Sequence, residues 1–160
     1  MTTQKYSLKR HLLVEEKQTS ASSLMLSSLI QSVDTHQSHG GSAHSLTLNH
    51  PGCHTVLDIE VDGPDALWVN NLDVVGANGK PDSACFRKGY GRQMLSLLTQ
   101  AADEHGVTLE LIAAPPAYLK RQMPDLPDKD QLAALYGDYG FYETSRNFAQ
   151  VHMRRDPSQA

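Results

Sequence analysis

The sequence predicts an α/β domain of the α+β kind, built on a mixed, mostly antiparallel central sheet with one parallel βαβ crossover. Three observations predict it. A run rich in β-branched and apolar residues, LWVNNLDVV (67–75), precedes an amphipathic helix, and VTLELIA (107–113) supplies a strand directly after that helix. Three strand-like runs, 44–48, 55–61 and 66–75, follow one another with NHPG and VDGPD turns between them, as an antiparallel meander requires. The last run, FYETSRNFAQVHMRR (141–155), reads as two closing strands around a turn at Ser145 to Asn147.

The remaining elements follow in chain order. YSLKRHLLV (6–14) is a candidate first strand, and residues 20–37 carry Leu24, Leu26, Leu29, Ile30 and Val33 at a spacing closer to a helix than to a strand. THQSHGGSAH (35–44) is polar and small enough to read as a loop. GANGKPDSA (76–84) is a long turn-rich connection, suited to a flap beside a substrate. Residues 114–130 contain four prolines, so they cannot be one regular element. DQLAALYGDYGF (130–141) reads as a short helix with acidic residues at its start and Gly140 at its end.

At 160 residues with 39% hydrophobic residues, the chain has the length of a single domain, 1–160, with material for a core. A formal charge of −4 and a pI near 6.0 disfavour a protein that coats nucleic acid, which needs an excess of clustered Lys and Arg. No segment approaches the roughly 20 apolar residues that span a bilayer, so no membrane partner is expected. Cys53 and Cys85 fit no CxxC or zinc pattern and read as reduced thiols of a cytoplasmic protein. His36, His39, His44, His50 and His54 lie in polar turns without metal-ligand spacing, so no metal is expected. Trp68 reads as core or pocket lining, and Arg154 with Arg155 as a solvated terminus.

The stretch FRKGYGRQMLSLLTQAADEHG (86–106) carries the most chemistry. Gly89 and Gly91 let the backbone approach a ligand closely, Arg87, Lys88 and Arg92 supply positive charge, and the helix that follows adds the positive end of its dipole. Met94, Leu95, Leu97, Leu98, Ala101 and Ala102 form its apolar side, and Gly106 stops it. The construction suits a phosphate. It is neither a dinucleotide fingerprint, since GxGxxG is incomplete, nor a P-loop, since no GK[ST] follows.

This order of elements, with two motifs, resembles the GNAT (Gcn5-related) N-acetyltransferase superfamily over roughly residues 44–155. FRKGYG (86–91) is similar to that family's pyrophosphate loop, Gln/Arg-x-x-Gly-x-Gly/Ala, and Tyr136, Gly140 and Phe141 match its later Tyr-x-x-x-Gly/Asn-Phe. Two positions depart from the pattern: Phe86 replaces the first Gln or Arg, so the arginine's role falls to Arg87, and Lys129 or Asp130 stands near the usual asparagine of the later helix. The resemblance implies a GNAT fold with 1–43 as a variable N-terminal region. It also implies acetyl-CoA as acyl donor, held by Val74, Val75, Arg87, Lys88, Gly89, Tyr90, Gly91 and Arg92, with the backbone at Val74 and Val75 pairing with the pantetheine arm.

Acetyl transfer to an amine needs a neutral nitrogen, a stabilised oxyanion and a proton for the leaving thiolate. A lysine-like amine is neutral only about one part in a thousand near pH 7.4, a cost of roughly 4 kcal/mol, so a base helps. Asp73 is the candidate base, read otherwise as a solvated strand carboxylate, with Asp58 and Glu60 as runners-up acting through water. The resemblance implies a proton-donor role for Tyr136, read otherwise as a packing tyrosine, and, by the same analogy, a backbone N–H near Val74 for the oxyanion. The expected partner is an amine acceptor, a protein or a small molecule, and a homodimer is open. A non-catalytic CoA-binding or protein-binding module is the alternative.

Overall fold

In the computed structural model, residues 20–115 and 117–158 are described, so the strand expected at 6–14 lies outside them. The elements run α1 (Ala21–Ser32), β1 (Thr35–Ser38), β2 (Ala43–His50), β3 (Cys53–Val61), β4 (Ala66–Gly76), a 3-10 turn at Ser83–Cys85 and α2 (Tyr90–His105), then β5 (Thr108–Ala113), α3 (Ala117–Gln122), α4 (Lys129–Gly137), β6 (Tyr142–Arg146) and β7 (Val151–Arg155). The strands make one sheet in the order β1-β2-β3-β4-β5-β7-β6. β4 and β5 pair in parallel and every other pairing is antiparallel, which is the expected mixed sheet with a β4–α2–β5 crossover.

Alternation along the strands puts the core on one face. Leu57, Ile59, Leu67, Val69, Leu109, Leu111, Val151 and Met153 are buried there with Met25 and Leu29 of α1, Met94, Leu95 and Leu98 of α2, and Tyr136 of α4. Each leucine sealed this way contributes about 1.5–3 kcal/mol of transfer free energy. The residues between them, among them Val56, Asp58, Asn71, Asp73 and Arg154, face the other way and stay partly or fully exposed.

The first region departs from expectation. α1 stops at Ser32 because Val33 is extended and the Asp34 N–H donates to the Thr47 carbonyl at 3.0 Å, which draws the chain onto the sheet. β1 therefore occupies residues read as a loop, and 43–50 is a full strand paired with it. The glycines of that segment make a hairpin turn, with φ of +84° at Gly40 and +58° at Gly41. At the other end the β6–β7 turn falls at 147–150, two residues later than expected, since the Asn147 side chain accepts from the N–H groups of Ala149 and Gln150. The proline-rich excursion holds the short α3. α4 opens at Lys129, one residue earlier than expected, on an Asp128–Gln131 capping box.

Two residue readings are overturned. Cys53 and Cys85 form a disulfide, their Cα atoms 5.9 Å apart, in place of two reduced thiols. The start of β3 and the turn Ser83–Cys85 meet only in three dimensions, so their spacing in sequence carries no sign of the pairing. Arg155 is buried, not solvated: it donates from Nε to the Tyr139 carbonyl and from Nη2 to Asp103 at 2.8 Å, tying β7 to α2. That hydrogen bond holds the Asp103 carboxyl below its ordinary range. Among the described residues no helix is long and apolar enough to cross a membrane.

Candidate functional site

β4 and β5 pair only from Ala66↔Thr108 to Val69↔Leu111. Beyond Val69 the two strands part. β4 continues to Gly76 against β3 alone, leaving its β5-facing edge without a ladder partner among the described residues. The register on the β3 side also changes at this point, from Ile59↔Val69 to Asp58↔Asn71, so Asn70 is an extra, bulged residue. The bulge decides which way the site's side chains point. Without it Asn71, Asp73 and Val75 would share the core face with Leu67 and Val69; with it they stand on the open face and Leu72 and Val74 turn inward.

The phosphate-type loop lies at the end of this divide. Gly89 is the N-cap of α2 in the left-handed region (φ +79°), and no side chain caps the helix. The first helical bond runs from the Gln93 N–H to the Gly89 carbonyl at 3.0 Å, so the N–H groups of Tyr90, Gly91 and Arg92 have no acceptor within the helix. Uncapped donors at a dipole's positive end suit an anion. Arg87 also has a left-handed backbone (φ +61°), a conformation that costs a non-glycine residue about 1–2 kcal/mol. Among the described residues neither Arg87 nor Lys88 is in an ion pair.

The loop is held from both sides. The disulfide fixes Cys85 to the β2–β3 hairpin, and the Tyr90 ring stacks on His50 of that hairpin with centroids 3.8 Å apart. Arg92 turns away from the loop: its guanidinium meets Asp138 at 3.1 Å and lies over the Tyr139 ring. Its backbone N–H remains at the helix start. This contact sets the end of α4 beside the beginning of α2.

Tyr136 is in the last turn of α4, 8% exposed and in edge contact with Phe141. Its hydroxyl has no hydrogen-bond partner among the described residues. Nor is it among their sealed, unpartnered polar atoms, of which Arg155 Nη1 alone is found, so the phenol tip reaches solvent. Burial, and then the charge of Asp73, push its pKa up to about 12. The same couple places Asp73 within electrostatic reach of the phenol. The Asp73 carboxyl opens to solvent, yet enough protein surrounds it for desolvation to raise its pKa; Asp58 raises it further, against a hydrogen bond donated by Asn71.

Asp73 also lines a cavity of about 610 Å³ on the open face of β1–β4, with Asp58, Asn71, His54 and Val75 around it and the 77–79 turn at its rim. Val75 thus belongs to the cavity. Val74 points toward α2, where a Cβ on Gly91 would meet it at 3.8 Å. Glu60 pairs with Trp68 farther along the sheet and is exposed, and Trp68 stands edge-on to His152 on the open face, in neither core nor cavity. The sequence reading missed the braces of the carboxylates: Ser45 donates to Asp58 at 2.5 Å, and Asn71 to Asp73. Those braces draw on three neighbouring strands, and the bulge at Asn70 reverses the alternation that would otherwise place Asn71, so the sequence alone carries no sign of them. His36 and His44 bond each other at 3.0 Å, and no group of three possible metal ligands converges among the described residues.

A crossover strand that leaves its parallel neighbour halfway, with an uncapped glycine-led helix at the opening, completes the architecture that the two motifs imply. The fold is a mixed, mostly antiparallel sheet with a βαβ crossover, as the resemblance implies. No family profile and no curated protein matches the sequence. Solved structures do. Ard1 from Thermoplasma volcanium is similar with a TM-score of 0.49 and 15% identity, over 74% of this chain and 72% of that one. PaiA N-acetyltransferase from Thermoplasma acidophilum, solved with coenzyme A, gives 0.41 and 10%, over 64% of this chain and 52% of its own. PH1933 from Pyrococcus horikoshii OT3 gives 0.39 and 14%, over 77% and 63%. Likenesses this distant assign no residue and no substrate.

Proposed function

We propose that this protein is an acetyl-CoA-dependent N-acetyltransferase in which the acceptor amine attacks the thioester directly within a ternary complex. The observation that carries the reading is the unpartnered edge of β4 running to the uncapped start of α2. An extended pantetheine arm suits the first and a pyrophosphate the second. The N–H groups of Tyr90, Gly91 and Arg92 with Arg87 and Lys88 hold the phosphates, and residues 70–76 pair with the arm, Val74 and Val75 among them.

In the reaction the ammonium gives its proton to Asp73, whose raised pKa brings it nearer to neutrality and makes it a better base than a solvated aspartate. The neutral nitrogen attacks the carbonyl carbon, backbone N–H near Val74 takes the oxyanion, and as the C–S bond breaks the nitrogen's second proton passes to solvent, leaving the acetylated amine and the thiolate. Tyr136 stands at the thiolate. With a pKa of about 12, some 3.5 units above a typical thiol, full proton transfer from the phenol costs about 5 kcal/mol. The phenol therefore donates a hydrogen bond to the sulfur, and solvent supplies the proton as the product leaves.

Calorimetric titration with acetyl-CoA, followed by turnover on a panel of amines, tests the reading. Micromolar binding with transfer supports it. Binding without transfer to any amine favours a non-catalytic CoA-binding module, and no binding removes both.

A further inference from the structure

The cavity beside Asp73 is an unusual place to leave charge. Among the described residues it is lined by two carboxylates, Asp58 and Asp73, and by no lysine or arginine. Among the described residues neither carboxylate is in an ion pair, although the chain forms several elsewhere on its surface. Both are held in place by neutral groups. Ser45 donates to Asp58 and is itself bonded by His39 at 2.6 Å, while Asn71 donates to Asp73. A concave site with two oriented, uncompensated negative charges attracts cations and repels carboxylates and phosphates.

The register sets how far apart the strand positions that carry those charges lie. Asp58 lies opposite Asn71 and Val56 opposite Asp73, so the two aspartates are diagonal neighbours on one face. Diagonal positions are about 7–8 Å apart, a span that a chain of roughly five methylenes bridges. A single ammonium at Asp73 leaves Asp58 unsatisfied, and a second cationic nitrogen satisfies it.

We propose that this cavity is the acceptor site and selects a small aliphatic amine bearing a second cationic nitrogen, with Asp58 holding the second charge while the nitrogen to be acetylated lies at Asp73. The assignment of Asp73 rests on the acetyltransferase reading. The charge selection does not, and can be measured without any transfer.

The test is equilibrium titration of the acetyl-CoA-free protein at low salt with 1,5-diaminopentane and with pentylamine, alongside acetyl-CoA. The diamine is expected to bind at least about tenfold more tightly than the monoamine, as one added charge-assisted contact provides. Asp58→Asn, which keeps the size of the side chain, is expected to erase that difference and to leave the acetyl-CoA affinity as it was. Thr47→Lys sets a tethered ammonium on the cavity wall without altering either carboxylate, and is expected to erase it as well. Equal affinity for the two amines in the unmodified protein overturns the proposal, as does a preference that survives either variant. Acetyl-CoA binding without diamine preference removes the acceptor class alone. Diamine preference without acetyl-CoA binding removes the transferase reading and leaves the cation site standing.

Discussion

The loop that would hold the donor and the cavity that would hold the acceptor are built on opposite principles. Residues 85–92 are fixed by a disulfide, a ring stack and a helix start, and the groups left without an acceptor there are backbone N–H. The cavity is fixed by strand pairing alone, and what it offers is side chains: Asp58, Asn71, Asp73 and His54. Backbone donors recognise a phosphate whatever their side chains are, so that half tolerates Phe86 at the motif's first position. Side chains on a sheet face change with each substitution, so on the proposed function specificity for the acceptor would belong to the other half.

If the division is right, variants on the two sides separate affinity from rate, and the largest effect falls on the acceptor side. Asp73→Asn is expected to lower kcat/KM by about 10²- to 10⁴-fold with acetyl-CoA affinity unchanged. The pH profile sharpens this. Asp73 must be ionised to act, so the rate falls as pH drops through its pKa, which lies above the ordinary carboxylate value; the acid limb disappears in the variant. A profile that keeps its acid limb would show that another group is the base.

Next in size is the disulfide. Cys53→Ser with Cys85→Ser releases a loop spanning 32 residues, for which chain entropy predicts a loss of roughly 3–4 kcal/mol, read as the midpoint of denaturant unfolding. Because Cys85 immediately precedes the anion loop, acetyl-CoA affinity is expected to weaken at the same time, measured under conditions where the variant remains folded. Lost stability with intact affinity would mean that the hairpin needs the bond and the loop does not. Tyr136→Phe follows, with a loss of about 1.5–3 kcal/mol from kcat, as removal of one hydrogen bond to a developing anion implies. Affinity for acetyl-CoA should hold.

The same division explains what could be read from the chain itself. The crossover was legible because its helix and both its strands are amphipathic or apolar over many residues, and Gly106 does end α2, with φ +68°. The edge strand Thr35–Ser38 was not, since an exposed edge carries no alternation and its residues look like a loop. In the site, Gly140 reads as a motif glycine, and in the structure it has φ +94° with the Arg155 guanidinium 3.2 Å from where a Cβ would stand. The burial of Arg155 has no local sign at all. Nor does the bulge: nothing in NN at 70–71 announces that alternation reverses there, and that reversal alone carries Asp73 and Asn71 to the open face.

The smallest effect is the most discriminating. Gly89 requires its glycine, because its backbone is left-handed and a side chain would be strained there. Gly91 does not. It lies in the first turn of α2 with φ outside the left-handed region, and a Cβ added to it meets only Val74, at an ordinary 3.8 Å. Neither conformation nor packing therefore accounts for a glycine at 91, and by helix propensity Gly91→Ala should stabilise the fold by about 0.5–1 kcal/mol. What remains is the space over its N–H, into which a pyrophosphate would settle. The expected outcome is a higher Tm together with weaker acetyl-CoA binding, two readouts moving in opposite directions. A higher Tm with unchanged affinity would place the phosphates away from this helix start, and with them the donor half of the site.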